Sequence, residues 1–495
     1  MSSETSLQTP QIDPTSQSER PHLRAVLLLA CLAQFMVILD VSVVNVALPA
    51  IRNALRFSEQ DLQWVVNAYT VTFAGFLLLG GRAADLLGRR RVFISGLVLF
   101  ALSSLAGGLA DSQTLLIAAR AAQGLGGAII APASLSILTT TFEEGPARNR
   151  AVGIWGAMGG AGGAAGVLLG GVLTDLLSWR WILFINVPIG LLAAIFAERY
   201  ILETRVATQR KSFDLAGAVS ATLGLTVLVF GIVRTGITGW GSASTLAMIA
   251  AGAALVVLFV VIEGRIARAP LMPLRIYSSR TLSAANVVVL LVGAAVFAMW
   301  FFLSLYLQQV LGYSPLRAGL AFLPMTLCIV AGSTLASRVV TRVGPKPMLV
   351  TGMVAQAAGL ALFTQITPGG GYLSEIVVPS LLVAIGIGFA FVPVTIAAVA
   401  GVPSEEAGLA SGLVNTSRFV GGALGLALLA AIATSRTNLD MRHGIAAHAA
   451  LTNGFVLAFG IAAAFAAAGA VIALVGLPRV SMRSARGRAI AVEHG

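Results

Sequence analysis

Asp40 lies in the string LDVSVVNVALP, inside an apolar stretch that runs from Leu23 to Leu48 and is long enough to cross a bilayer. Arg120 and Arg418 lie within later apolar runs. An ionised side chain at such depth costs several kcal/mol unless it is paired or functional, so it marks an ion or proton pathway by default. The chemistry within reach is reversible protonation and ion pairing. No polar catalytic set or signalling domain stands beside these groups, so the catalytic assignment is none and an enzyme or receptor reading lacks its parts.

The elements that position them are membrane helices. Hydrophobic residues make up 57% of the chain and charged residues 11%, which leaves too little polar surface for a soluble domain. Apolar runs of helix-spanning length recur about fourteen times, from Leu23–Leu48 to Gly454–Gly476. The expected organisation is a disordered tail over 1–22, a six-helix bundle over 23–205, two inserted spans over 206–281 (Leu215–Val233 and Thr245–Gly264), a second six-helix bundle over 282–478, and a tail over 479–495.

Basic residues sort by loop. Arg82, Arg89, Arg90 and Arg91, then Arg148, Arg150 and most others fall on one side, in an excess of about three to one that predicts this side to be cytoplasmic, with both termini on it. That topology absorbs the net charge of +12, and no basic patch interleaved with aromatics calls for nucleic acid. Cys31 and Cys328 sit far apart in apolar runs, His443 and His448 in an outer loop without ligand partners, so neither a disulfide framework nor a metal site is expected.

Depth places two of the buried charges together. Asp40 is about sixteen residues, roughly 24 Å, along an outward-running helix, and Arg120 about six residues, roughly 9 Å, down an inward-running one. Both belong to the outer half of the membrane. Within one cavity Arg120 would keep Asp40 ionised in one state and release it in another; the alternative is a static ion pair fastening two helices.

Between the second and third spans runs Gly81-Arg-Ala-Ala-Asp85-Leu-Leu-Gly88-Arg89-Arg90-Arg91. It resembles the G-x-L-A-D-R-x-G-R-K loop of the major facilitator superfamily, departing at Ala83 and Leu86. A degenerate second copy, Ser337 to Lys346, has Thr341 in place of the acid. Arg120-Ala-Ala-Gln123-Gly124-Leu-Gly126-Gly127 resembles the family's R-x-x-Q-G-x-G-A, and Gly162, Gly166, Gly170 and Gly171 resemble its antiporter signature, with Val167 where proline is expected. Segments around Trp179–Gly190, Tyr306–Gly319 and Ala407–Arg418 extend the likeness over nearly the whole chain.

The resemblance implies an all-α major facilitator fold of two six-helix bundles plus two inserted helices, in the fourteen-spanner drug:proton antiporter branch. It implies proton-coupled efflux of amphipathic drugs by alternating access, with Asp40 and Arg120 in proton coupling. Gly81, Asp85, Gly88, Arg89 and Arg90 would form a cytoplasmic gate. The glycines from Gly162 to Gly171 would pack helices closely, which is a structural role as well as a functional one. A central cavity would draw on Asn45, Gln123, Asn415 and Arg418, and on aromatics such as Trp64, Tyr69, Trp155, Trp300, Phe301 and Tyr306. Arg418 would face a substrate carboxylate or carbonyl, or else bond to backbone carbonyls.

Beyond Asp40 no acid lies well inside a span, so neutral, zwitterionic or singly charged substrates fit better than dications. Val167 keeps a nutrient-importing symporter open. No G-x-x-x-x-G-K-[ST] segment occurs, so the proton gradient, with no cofactor, is the expected drive. The expected partners are protons, an amphipathic small molecule and the lipid bilayer, with no nucleic acid and no obligate protein partner. Heavy use of Arg over Lys suggests a bacterial cell membrane.

Overall fold

The structure, a computed structural model, describes residues 15–143, 146–203, 214–267, 270–399 and 407–478. Among these, 14 helices are long and apolar enough to cross a membrane. They are α1 (His22–Leu55), α2 (Glu59–Leu87), α3 (Arg89–Gly108), α4 (Gln113–Thr141), α5 (Arg150–Leu176), α6 (Trp181–Tyr200) and α7 (Leu215–Thr235), then α8 (Ala243–Ile266), α9 (Arg280–Val310), α10 (Pro315–Val340), α11 (Pro345–Gln365), α12 (Tyr372–Ala398), α13 (Leu409–Arg442) and α14 (Ala447–Gly476). A chain this apolar must satisfy its backbone internally, and helices do so within each segment.

Starts are written locally. Ser58 accepts from Asp61 N at 3.0 Å to open α2, Ser112 caps α4, and Ser314 caps α10 ahead of Pro315, whose missing N–H costs nothing at that position. The first helix is continuous back to Thr15, so residues 15–22 are helical where a disordered tail is expected. Hydropathy marks only the length that lies in lipid, and a helix can run on into water. The segments 1–14, 400–406 and 479–495 lie outside the described residues.

The two sixes repeat one packing scheme. In the first, α1 packs on α5 and α6, α2 on α4, and α3 on α4 and α6; in the second, α9 packs on α13 and α14, α10 on α12, and α11 on α12 and α14. The turns match as well: Gly88 after α2 and Gly344 after α10 hold φ of 110° and 87°, a region that favours glycine. The bundles meet along α5–α10 and α2–α13. The hairpin α7–α8 stands outside both, with α7 lying against α2 and α13 together.

At the arginine-poor end the bundles touch along α1–α9 and α5–α10, while α2 and α13 also meet further toward the other end, at Phe73–Phe419 and Leu78–Gly412. Ser304 donates to Asn45 O at 2.6 Å, and Gln308 donates to Val46 O at 2.9 Å. A Cβ on Gly171 would lie 2.7 Å from Pro315 O. Toward the arginine-rich end, Gly160 still faces Val330, but Gly153 and Gly156 on α5 have nothing within 4 Å of a Cβ. Along α5–α10 the molecule is therefore closed at the arginine-poor end and parted at the other.

Candidate functional site

Four helices of the first bundle converge on Asp40, which is fully buried. From α4, Arg120 Nη1 donates to Asp40 Oδ2 at 2.5 Å, and Gln123 Nε2 donates to Oδ1 at 2.6 Å; from α6, Asn186 Nδ2 donates to Oδ1 at 2.9 Å. Three donors thus engage both oxygens of the carboxylate, two on Oδ1 and one on Oδ2. Arg120 Nη1 also donates to Gln123 Oε1 at 2.6 Å, and Gln123 Nε2 lies 2.6 Å from Ser104 Oγ on α3.

Arg120 needs more than one partner, because a guanidinium carries five N–H donors. Its Nε donates to Val65 O on α2 at 3.0 Å, and its carbon stands 4.6 Å from the Tyr69 ring centre. The helix backbones come this close because Gly124 and Gly127 on α4 face Tyr69. A Cβ on Gly127 would lie 2.8 Å from the Tyr69 hydroxyl, which is itself buried without a partner. The assembly is a charge pair inside a hydrogen-bond cage, shut off from both aqueous faces in this state.

The structure brings Asp40, Arg120, Gln123 and Tyr69 together and sets the remaining candidates apart. Asn45 and Tyr306 lie in the closed end: Asn45 side chain donates to Val41 O, and Tyr306 hydroxyl donates to Thr367 O at 2.7 Å. Trp64 packs near Phe230 on the α7 hairpin, with ring centres 6.1 Å apart, and Trp300 lies 4.9 Å from Phe322. Trp155 on the parted stretch of α5 donates to Ser134 Oγ at 3.0 Å, and Phe301 is buried against Phe302. On α13, Asn415 donates to Ser411 O, while Arg418 stands between Phe391 and Phe419.

The loop candidates form a braced turn within the first bundle. Asp85 pairs with Arg89 at 3.0 Å, and Glu203, just past α6, lies 4.0 Å from Arg90 and 3.6 Å from Arg91 and accepts Arg91 N at 3.3 Å. Gly81 faces Pro132 on α4. A Cβ on Gly88 would run into the Glu203 carboxylate and would also demand positive φ. Gly88→Ala is therefore expected to cost about 1–3 kcal/mol, read as a lower unfolding midpoint, with a slower transport rate.

Of the signature glycines, Gly162, Gly166 and Gly170 receive the backbone of α1 within the same bundle, at Phe35, Leu39 and Val43. Gly171 meets the other bundle. Sequence reasoning missed Asn186, Ser104, Ser304, Gln308 and Glu203. The signal for the first four was an amide or hydroxyl inside an apolar run, which carries no direction until the fold turns it toward a partner.

A cavity of about 180 Å³ lies beneath the hairpin, between Ala218 and Leu225 on α7, Phe259 on α8, Leu78 on α2 and Thr416 on α13. It is almost wholly apolar. Among the described residues no group of three or more His, Cys, Asp or Glu is placed to hold a metal.

Residues 30–426 match the Major Facilitator Superfamily. The chain is 45% identical to the cephamycin export protein CmcT of Amycolatopsis lactamdurans, over 83% of this chain and 85% of that protein. It is 39% identical to the puromycin resistance protein pur8 of Streptomyces alboniger, over 88% and 86%. Among solved structures it resembles a bacterial homologue of the human lysosomal transporter Spinster, inward-facing and unoccupied, with a TM-score of 0.66 at 16% identity, covering 93% of this chain and 100% of that one.

Proposed function

Because this chain belongs to the Major Facilitator Superfamily and is a transporter of small molecules, not an enzyme, we propose that it exports amphipathic antibiotics or drugs across the bacterial cell membrane in exchange for protons. The observation that carries the coupling is the buried carboxylate of Asp40 with its three donors. A fold fastener needs no charge at that depth, since an apolar pair of like volume is as stable or more so.

In this reading the arginine-rich side faces the cytoplasm, so the parted stretch of α5–α10 opens inward. Asp40 has given up its proton and is held by Arg120, Gln123 and Asn186. Substrate enters the space between the bundles from the cytoplasmic side. The bundles then rock about the fixed centre, the arginine-poor end opens, and a proton from outside takes the place of Arg120 on Asp40 as substrate leaves. The turn of Asp85, Gly88, Arg89 and Arg90 braces the inner gate when it closes. Transport with protons as the only co-substrate needs no cofactor and no protein partner.

The test uses proteoliposomes with an imposed pH gradient and a panel of amphipathic drugs and dyes. Drug-dependent dissipation of the gradient is expected in the wild type and absent in Asp40→Asn. Coupled flux that survives the substitution would move the proton site elsewhere.

A further inference from the structure

Two cations lie deep in the described spans, and only one is spoken for. Arg120 is committed to Asp40 and to Val65 O. Arg418 stands about nine residues, roughly 14 Å, from the start of α13 at Leu409, on the arginine-rich side. Its guanidinium carbon is 5.1 Å from the centre of the Phe391 ring and 4.8 Å from that of Phe419. Aromatic rings engage the faces of the planar cation and leave its edge, where the N–H donors point, unused.

That edge lacks acceptors. Arg418 Nε is buried without a hydrogen-bond partner, and among the described residues no carboxylate lies within ion-pairing distance of the side chain. The one deep acid cannot serve it, because both oxygens of Asp40 are occupied by its own cage. Arginine stays protonated, so the second bundle carries, one residue from the Phe419–Phe73 contact that joins the two bundles, a fixed positive charge whose Nε has no partner. Phe297 lies against Phe419 at 5.7 Å and Phe73 at 4.3 Å, giving an apolar wall drawn from α9 and α2, one helix from each bundle.

Resting on the efflux reading above, we propose that Arg418 is the recognition residue for an anionic amphiphile: one carboxylate, or an equivalent pair of acidic oxygens, seated on the guanidinium edge with its apolar body on the Phe391 and Phe419 side. The bidentate fork gives orientation as well as attraction. The charge balance follows. A monoanion leaving against one entering proton moves two elementary charges inward per cycle, so its export responds to membrane potential as well as to pH. A monocation exported against one proton would move none.

Binding is measured on the purified full-length protein in phosphatidylcholine nanodiscs with three fluorescent probes: dansyl-phenylalanine (anion), its amide (neutral) and dansylcadaverine (cation). The anion is expected to bind at least tenfold more tightly than the other two. Arg418→Gln removes that preference and changes the affinity for the amide less than twofold, and Arg418→Lys keeps part of it. Unfolding midpoints and amide binding show that the variants are folded. Equal affinity for all three probes, a loss that is the same for all three in Arg418→Gln, or no binding of the anion overturns the assignment. Repeating the titration with phosphatidylglycerol separates the sources: competition means a lipid phosphate reaches the same edge, and an unchanged anion affinity means the edge serves the free solute. Proton flux in the vesicle assay is read independently. Antiport without anion preference removes the role of Arg418 and leaves the efflux reading standing, and anion preference without proton flux does the reverse.

Discussion

Arg120→Ala is expected to destabilise the protein by about 3–5 kcal/mol, more than the double substitution Asp40→Asn with Arg120→Gln. The single change strands an ionised Asp40 at zero exposure, with Gln123 and Asn186 as its remaining donors. The double change removes both charges and keeps groups that still hydrogen-bond to those amides. Thermal unfolding in detergent reads the order directly. Both variants are also expected to lose drug-dependent proton flux, so stability and coupling separate: one recovers in the double variant and the other does not. If the double variant is as unstable as the sum of its singles, the two residues do not act as a pair.

Gly171→Val is expected to drive the protein out of the conformation described above. A side chain at Gly171 meets Pro315 O at 2.7 Å and Leu316 Cα at 3.0 Å, both backbone atoms that cannot swing aside. Overpacking of this kind costs about 1–3 kcal/mol, and it falls only on the state in which α5 and α10 touch at the arginine-poor end. That shifts the conformational ratio by roughly 5- to 150-fold. A cysteine placed at Gly153, where the inner stretch of α5 stands open, reports it in a background lacking Cys31 and Cys328. Maleimide labelling is expected to slow in Gly171→Val, by at most the roughly 5- to 150-fold shift in that ratio. Gly162→Ala serves as the contrast, since its neighbour Phe35 belongs to the same bundle; it should lower the unfolding midpoint and leave labelling unchanged. Unaltered labelling in Gly171→Val would mean that the α5–α10 contact persists through the cycle.

The spans, the side rich in arginine and the pairing of Asp40 with Arg120 were legible in the sequence, because each depends on depth along a helix, and depth is a count of residues. What depth cannot supply is azimuth. Tyr306 and Asn45 have the right height for a cavity wall, yet the Tyr306 hydroxyl bonds to Thr367 O and the Asn45 amide to Val41 O of its own helix, while Tyr69 turns beneath Arg120. Asn186 could not be assigned to Asp40 from spacing, since 146 residues separate them and only the packing of α6 on α1 joins them. The glycine signature was readable as close packing, but which helix each glycine receives was not: three take α1 and one takes α10.

The hairpin α7–α8 has a mechanical consequence. Val71 on α2 and Ala423 and Ala427 on α13 press against Leu225, Val229 and Val233 of α7, so one helix leans on both bundles. In the proposed rocking cycle α7 cannot follow both, and the relative motion becomes slip along its length. The buried residues of that cluster are all aliphatic, so they hold α7 to each bundle without directional bonds. The inserted pair then acts as a side rail, keeping the moving halves in plane while leaving their travel free.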